Sequence, residues 1–283
     1  MRYEPEFKAF CISDKVVKEF KTAPVIKLNP IDYECFGRGE PAAGTPVIGF
    51  LLGRDTDCYS AGLPYVQSMV GADFDIRFLT YEHCEEQLKA CQGLLLPGGM
   101  FASPEAYYTD PRDDIEFPTL RSKAYELCIR KALEMQIPIL GICAGAQMIA
   151  GHFGLKLYRS FDYIETPIAH KTDVHEAHRL NIFPNTPLQR MFGPANLFFV
   201  NSRHRELVAP VKIQRELLAE KLHINPAEVA LPLEIYAEAS DGTPEAWGSA
   251  AKKIFCVQWH PEDMVVNGSL GMLKVFHWLR EQI

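Results

Sequence analysis

The sequence lacks a cysteine framework. Its eight cysteines, Cys11, Cys35, Cys58, Cys84, Cys91, Cys128, Cys143 and Cys256, include no C-x-x-C pair and no regular spacing. A disulfide scaffold is therefore excluded, and reduced thiols are expected. A basic run is also missing. With a formal net charge of -7, a nucleic-acid-binding surface is not expected. No stretch is long and apolar enough to cross a bilayer, because the best candidate, Ile137 to Gly151, is broken by glycines and carries Gln147. The opening Met1-Arg2-Tyr3-Glu4-Pro5-Glu6 has none of the apolar core of a signal peptide. These absences lead to an expectation of a cytoplasmic protein with no membrane or nucleic-acid partner.

What is present is ordinary globular material. The 283 residues are 47% hydrophobic and 23% charged, enough for a full core in one large α/β domain or two modest ones. Residues 1–44 lack clear periodicity and end in Gly37-Arg38-Gly39-Glu40-Pro41-Ala42-Ala43-Gly44, a linker-like composition. They read as an N-terminal extension to a domain over 45–283. The extension either packs on the domain surface or serves as a partner-binding arm, with a homodimer as one outcome.

From Pro46 the apolar runs alternate with amphipathic ones. Strands are expected at Pro46 to Leu52, Asp75 to Leu79, Gly93 to Leu96 and Pro138 to Ile142, with helices at Gly62 to Val70, Glu82 to Lys89 and 119–135 between them. Continuous apolar strands separated by helices predict an α/β, doubly wound, mostly parallel sheet of flavodoxin-like architecture. Such sheets bind ligands at the carboxyl ends of their strands. Pro97-Gly98-Gly99 and Cys143 both fall at such ends. The second half is richer in strands, at Leu197 to Val200, Leu233 to Ala239 and Lys253 to Gln258. Helices are expected at Lys212 to Leu222 and Leu270 to Leu279.

The segment Gly141-Ile142-Cys143-Ala144-Gly145-Ala146-Gln147 is a strand-to-helix corner flanked by glycines, as a nucleophile elbow requires. The corner would expose the sulfur near a helix N-terminus and present the backbone N–H of Ala144 to a developing oxyanion. Taken alone, it also suits a buried core cysteine. Further on, Cys256-Val257-Gln258-Trp259-His260-Pro261-Glu262 brings a histidine to a strand end and a carboxylate two residues later. A thiol needs a general base near neutral pH, and an imidazole needs an acceptor to fix its tautomer. The cluster Asp173, His175 and His178 invites a metal reading, but the cysteines are not placed to help and no H-E-x-x-H helix is present. Phe161 to Arg179 is instead expected as an exposed strand, with no metal.

Leu96-Pro97-Gly98-Gly99, the Cys143 elbow, Val200-Asn201-Ser202-Arg203-His204 and Val257 to Glu262 stand in the order and approximate spacing of class I glutamine amidotransferase-like domains. Over about residues 45–283 the chain resembles the gamma-glutamyl hydrolases of that group, especially the gamma-glutamyl-gamma-aminobutyrate hydrolase branch. The resemblance implies Cys143 as nucleophile, His260 as base and then acid, and Glu262 as orienter. It also implies an oxyanion hole from Ala144 and Gly98 or Gly99. Gln147, Asn201, Ser202, Arg203 and His204 would lie near the glutamyl head group of a small γ-glutamyl substrate, and no cofactor is called for.

Three departures bear on the leaving group. Ala144 stands where the branch commonly has Arg, the loop Met100 to Tyr108 is more apolar than usual, and a helical segment at 209–227 is an addition. The alternatives are a glutaminase subunit that passes ammonia to a separate synthetase, and a silent relative acting as a binding or redox-sensing module. A cysteine α/β-hydrolase is disfavoured because its acid should precede its histidine.

Overall fold

A computed structural model describes residues 25–28, 44–54, 59–99, 103–111, 119–160, 168–193 and 198–283. The linker-like stretch before Gly44 and the start of the Met100 to Tyr108 loop lie outside the described residues. The chain divides into two compact units, neither of them continuous in sequence. The first is Met1–Gly99, Leu120–Leu140 and Pro261–Ile283; the second is Met100–Thr119 and Gly141–His260.

The first unit begins with β1 (Val25–Leu28), β2 (Val47–Leu51), β3 (Gly53–Arg54) and β4 (Tyr59–Gly62). β4 pairs antiparallel with both β1 and β3. Then come α1 (Leu63–Gly71), β5 (Asp75–Leu79), α2 (Cys84–Leu88), β6 (Gly93–Leu96) and α3 (Leu120–Met135). β2 lies between β5 and β6 and pairs parallel with each. Every residue of β2, β5 and β6 is buried, which is why β2 and β6 read as unbroken apolar runs, while β5 also buries Asp75 and Arg77. α3 buries Ala124, Tyr125, Cys128, Ile129 and Ala132, the stripe that its helical period predicts. Helix-flanked parallel strands confirm the α/β class.

The chain passes from one unit to the other inside β7 (Ile139–Ile142). The second unit continues with α4 (Ala144–His152), β8 (Leu157–Tyr158), β9 (His178–Ile182), α5 (Pro187–Phe192), β10 (Phe198–Val200), β11 (Leu207–Val208), α6 (Val211–Leu222), β12 (Glu234–Ala239), β13 (Pro244–Ser249) and β14 (Ile254–Val257). Five of these strands run β10–β9–β12–β13–β14, and each adjacent pair is antiparallel. Parallel pairing is thus found in the first unit and antiparallel pairing here. Trp247, Trp259, Tyr236 and Phe255 are buried, and the rings of Tyr236 and Phe255 stack at 5.7 Å. The expected helix at Lys212 to Leu222 is α6. Gln214 ties it down, accepting from Lys156 N–H at 2.8 Å and donating to Lys156 O at 2.7 Å.

Two helices return to the first unit, α7 (Pro261–Val266) and α8 (Leu273–Gln282). α8 buries Val275, Phe276, Trp278 and Leu279, and the turn before it, Leu270–Met272, is 3-10 rather than α.

One expectation is corrected. Residues 168–177, the described part of the stretch expected as an exposed strand, form turns and bends outside any named strand, and the strand starts only at His178. Both His170 and His178 are buried. Both face Glu245 on β13, at 3.7 and 3.3 Å, a strand not expected from the sequence.

Candidate active site

Cys143 follows β7 directly and caps α4 with φ 50° and ψ -112°. A non-glycine residue in that region costs on the order of 1–3 kcal/mol, and such strain gathers at functional corners. The corner is held on both sides: Cys143 N–H donates to Val257 O at 2.9 Å, and Gln147 N–H donates to Cys143 O at 2.9 Å. Gly141 permits the close approach. A methyl there would stand 2.7 Å from Ile149 Cδ1 and 2.9 Å from Ala146 Cα. The sulfur residue is buried but not sealed, at 7% exposure. Cys91, Cys128 and Cys256 are plain core groups, whereas the hydrogen bond with Cys128 lowers the thiol of Cys84. Burial pushes the Cys91 thiol up to about 12 and those of Cys128 and Cys256 well above their usual range, so they stay neutral.

His260 follows β14 in the same unit and is half-buried. Its backbone is bracketed by one side chain: Asn201 Oδ1 accepts from His260 N–H at 2.8 Å, and Asn201 Nδ2 donates to His260 O at 2.9 Å. Gln147, on α4, donates to Glu206 O at 2.6 Å and to Gln258 Oε1 at 3.1 Å. Its amide therefore links the elbow helix to the strand end that leads to His260. Ser202 donates from Oγ to His170 O at 2.8 Å. Both Ser202 and His204 are buried, whereas Arg203 is exposed. Of the residues expected near a glutamyl head group, only Arg203 is solvent-facing; Gln147, Asn201, Ser202 and His204 are committed to internal contacts.

In the first unit, Pro97-Gly98-Gly99 is held by α1 and α3. Gly98 N–H donates to Tyr65 Oη at 2.9 Å, Tyr125 Oη donates to Pro97 O at 2.7 Å, and Arg121 donates to Gly98 O at 3.0 Å. Gly98 N–H thus already has a partner. Gly99 adopts φ +146°, and a Cβ on it would lie 2.5 Å from Arg121 Nη2. Only glycine fits there. Glu262, also of this unit, is 1% exposed in the first turn of α7, behind Pro261.

The sequence reading gave no role to Asp241, Glu245 or Glu206. Glu245 is completely buried with His178, His204 and His170 around it. Burial works to raise its carboxyl, but His178 and His204 outweigh that and hold it at about 2. Glu206 shows the reverse. Burial raises it to about 7, against the Tyr108 hydroxyl that donates to it at 2.9 Å. The signal for Glu245 was a lone carboxylate opening the apolar run Ala246-Trp247 after Pro244. A separate shallow groove of about 450 Å³, lined by Phe183, Val211, Arg215, Val229, Leu233 and Glu238 among others, contains none of the residues above.

A cysteine on a strained strand-to-helix corner of an α/β fold, with a histidine bracketed at a neighbouring strand end, is the arrangement of a class I glutamine amidotransferase-like protein. The chain belongs to the Peptidase C26 family, whose description matches residues 60–262. It is 27% identical over 186 residues to the glutamine amidotransferase-like protein YvdE of Lactococcus lactis, covering 64% of this chain and 70% of that one. It is 28% identical over 188 residues to the gamma-glutamyl-gamma-aminobutyrate hydrolase PuuD of Escherichia coli, covering 63% and 66%. In fold it is similar to the glutaminase domain of Trypanosoma brucei CTPS solved with acivicin, with a TM-score of 0.55 at 18% identity over 84% of this chain and 94% of that one. A hydrolase-like or amidotransferase-like protein follows at that level. Among the described residues, no helix is long and apolar enough to cross a membrane.

Proposed function

We propose that the protein hydrolyses the γ-glutamyl amide bond of a small γ-glutamyl compound through a thioester on Cys143. The observation that carries this reading is the φ of 50° at Cys143, a conformation that a core cysteine has no reason to hold. His260 takes the thiol proton, and the thiolate attacks the γ-carbonyl carbon. The tetrahedral oxyanion is met by the backbone N–H of Ala144. One such donor is typically worth ~3 kcal/mol of barrier. His260 then returns its proton to the departing amine, and activates the water that cleaves the thioester. The resemblance implies Glu262, two residues along the chain, as the group that fixes the imidazole tautomer. No redox or cofactor step enters.

Family membership and the named hydrolase relatives support the class of reaction. Ala144 in place of the arginine common in the branch removes a positive charge beside the sulfur, and with it the pairing that would select an anionic amine, which favours an uncharged or cationic one. The test is release of amine from a panel of γ-glutamyl amides without ATP, with the acyl-enzyme trapped and weighed. Cys143→Ala should abolish release and the mass adduct together. Equal rates in parent and mutant would remove covalent catalysis, and turnover only after addition of a synthetase would make the chain an ammonia-donating glutaminase.

A further inference from the structure

Behind the segment that brackets His260 lies a second buried cluster, in the same unit. Glu245 on β13 is surrounded by three imidazoles. His178 Nε2 stands 3.3 Å from its Oε1, His204 Nε2 3.6 Å and His170 Nδ1 3.7 Å. None of these contacts is aligned as a hydrogen bond. The three nitrogens and both Glu245 oxygens are without a hydrogen-bond partner among the described residues. Buried polar atoms are rarely left so.

The far sides of two rings are fixed. His204 Nδ1 lies 3.0 Å from Glu206 O. A carbonyl only accepts, so the ring proton is on Nδ1 and Nε2 presents a lone pair to the cluster. His170 Nε2 lies 2.6 Å from Asp241 Oδ2, which places the proton there and a lone pair on Nδ1. Two lone pairs therefore face a carboxylate. Acceptor against acceptor is repulsive until a cation sits among them.

Spacing distinguishes a proton from a metal. A proton shared between nitrogen and a carboxylate draws the heavy atoms to about 2.7–2.9 Å. Nitrogen and oxygen donors at zinc distances, arranged tetrahedrally, stand about 3.4 Å apart. The observed 3.6 and 3.7 Å belong with the second. A histidine ligand usually has its other nitrogen on a carboxylate or a backbone carbonyl, as both rings have here.

We propose that His170 Nδ1, His204 Nε2 and the Glu245 carboxylate form a structural site for one divalent transition ion of the zinc class. Their donor atoms lie within 4.8 Å of one another, and all three residues are buried. Asp241 and the Glu206 carbonyl orient the rings, and His178 steadies the carboxylate. Asp173 and His175, which the sequence grouped with His178, take no part. The ion joins three segments: the turn at His170, the loop after β10 and strand β13. Ser202 Oγ and His204 N–H both donate to His170 O, at 2.8 and 3.1 Å, and Gln258 N–H donates to Glu245 O at 2.8 Å. The site thus stiffens the backbone on either side of Asn201 and His260. It does not depend on which amide the protein cleaves, or on whether it cleaves one.

The test uses the full chain and Zn2+ and Co2+ as probes. Metal content by plasma mass spectrometry should approach one equivalent per chain. Co2+ should give the visible bands of a low-coordinate nitrogen and oxygen site, and adding either ion to chelator-treated protein should raise its Tm. Asp241→Asn, which keeps the ligands but not their orientation, should weaken binding 10–100-fold while leaving a cooperative melt. Glu245→Gln should lose stoichiometric metal, and His223→Ala, outside the cluster, should keep it. Less than about 0.1 equivalent of metal, with a Tm indifferent to Zn2+, Co2+ and chelator, would overturn the proposal and leave a protonated imidazole as the cation. Undiminished binding in both Asp241→Asn and Glu245→Gln would also overturn it, by placing the ion elsewhere. Should Glu245→Gln fail to fold, the affinity of Asp241→Asn decides.

Discussion

Glu206 is an acid held against its own ionisation. Burial raises its carboxyl from the usual 4.5 to about 7, with Tyr108 and Arg159 offsetting part of the effect. The folded chain therefore binds this proton more tightly than the unfolded chain does. Between about pH 4.5 and 7, the folded state holds more protons, so stability falls as pH rises. The full effect is an upper bound of about 3 kcal/mol, reached above pH 7. Glu206→Gln keeps an oxygen for the Tyr108 hydroxyl and removes the charge. Urea titrations at pH 5 and pH 8 should show the mutant with a flatter pH dependence and a higher midpoint at pH 8. A parent chain more stable at pH 8 than the mutant would mean that the carboxylate has found a compensating cation.

At the scale of elements, the parts that the sequence revealed are those whose signal is local. β5 and β6 match the expected bounds, and α1, α3 and α6 differ by about a residue at an end, because an apolar run, unbroken in β6 and interrupted by Arg77 in β5, or a 3.6-residue stripe is complete within its own window. β13 was hidden by Pro244, which reads as a breaker although a strand can open on proline. α7 was hidden because His260-Pro261-Glu262 reads as a loop, while proline in the first turn is a helix start. The strand-to-helix corner was legible from Gly141, Cys143 and Gly145, although those residues alone suited a core cysteine as well. The histidine cluster was not, since Asp241 and Glu245 come some seventy residues after His170 and only the antiparallel return of β12 and β13 joins them. Asn201 is a similar case: its sequence neighbours suggest a substrate contact, whereas its amide closes on the backbone of His260, 59 residues on. Asn201→Ala deletes both hydrogen bonds and should cost about 1–3 kcal/mol of stability. If His260 is the base, kcat on a γ-glutamyl amide should fall at least tenfold with little change in KM, and Asn201→Asp, which keeps the acceptor for His260 N–H, should recover part of it. A selective rise in KM would instead assign Asn201 to the substrate.

At the scale of the whole molecule, both units are built from separated segments, so no single cut releases either one. The first unit depends on the last residues of the chain. α8 contributes Val275, Phe276, Trp278 and Leu279, all buried, to the same unit as α1 and the parallel strands. At roughly 1.5–3 kcal/mol for each buried side chain, the four account for about 6–12 kcal/mol as an upper bound. That is comparable to the 5–15 kcal/mol by which a whole domain is typically stable. The Arg280 to Asp73 ion pair on the same helix, at 2.9 Å with both side chains well exposed, contributes under about 1 kcal/mol. The two predictions separate apolar burial from charge. A chain ending at Met272 should lose its cooperative thermal transition and bind a hydrophobic dye at room temperature, while Arg280→Ala should melt within a few degrees of the parent. A truncated chain that still melts cooperatively near the parental Tm would show that α8 covers surface the first unit can leave exposed, and the estimate from buried side chains would then fail.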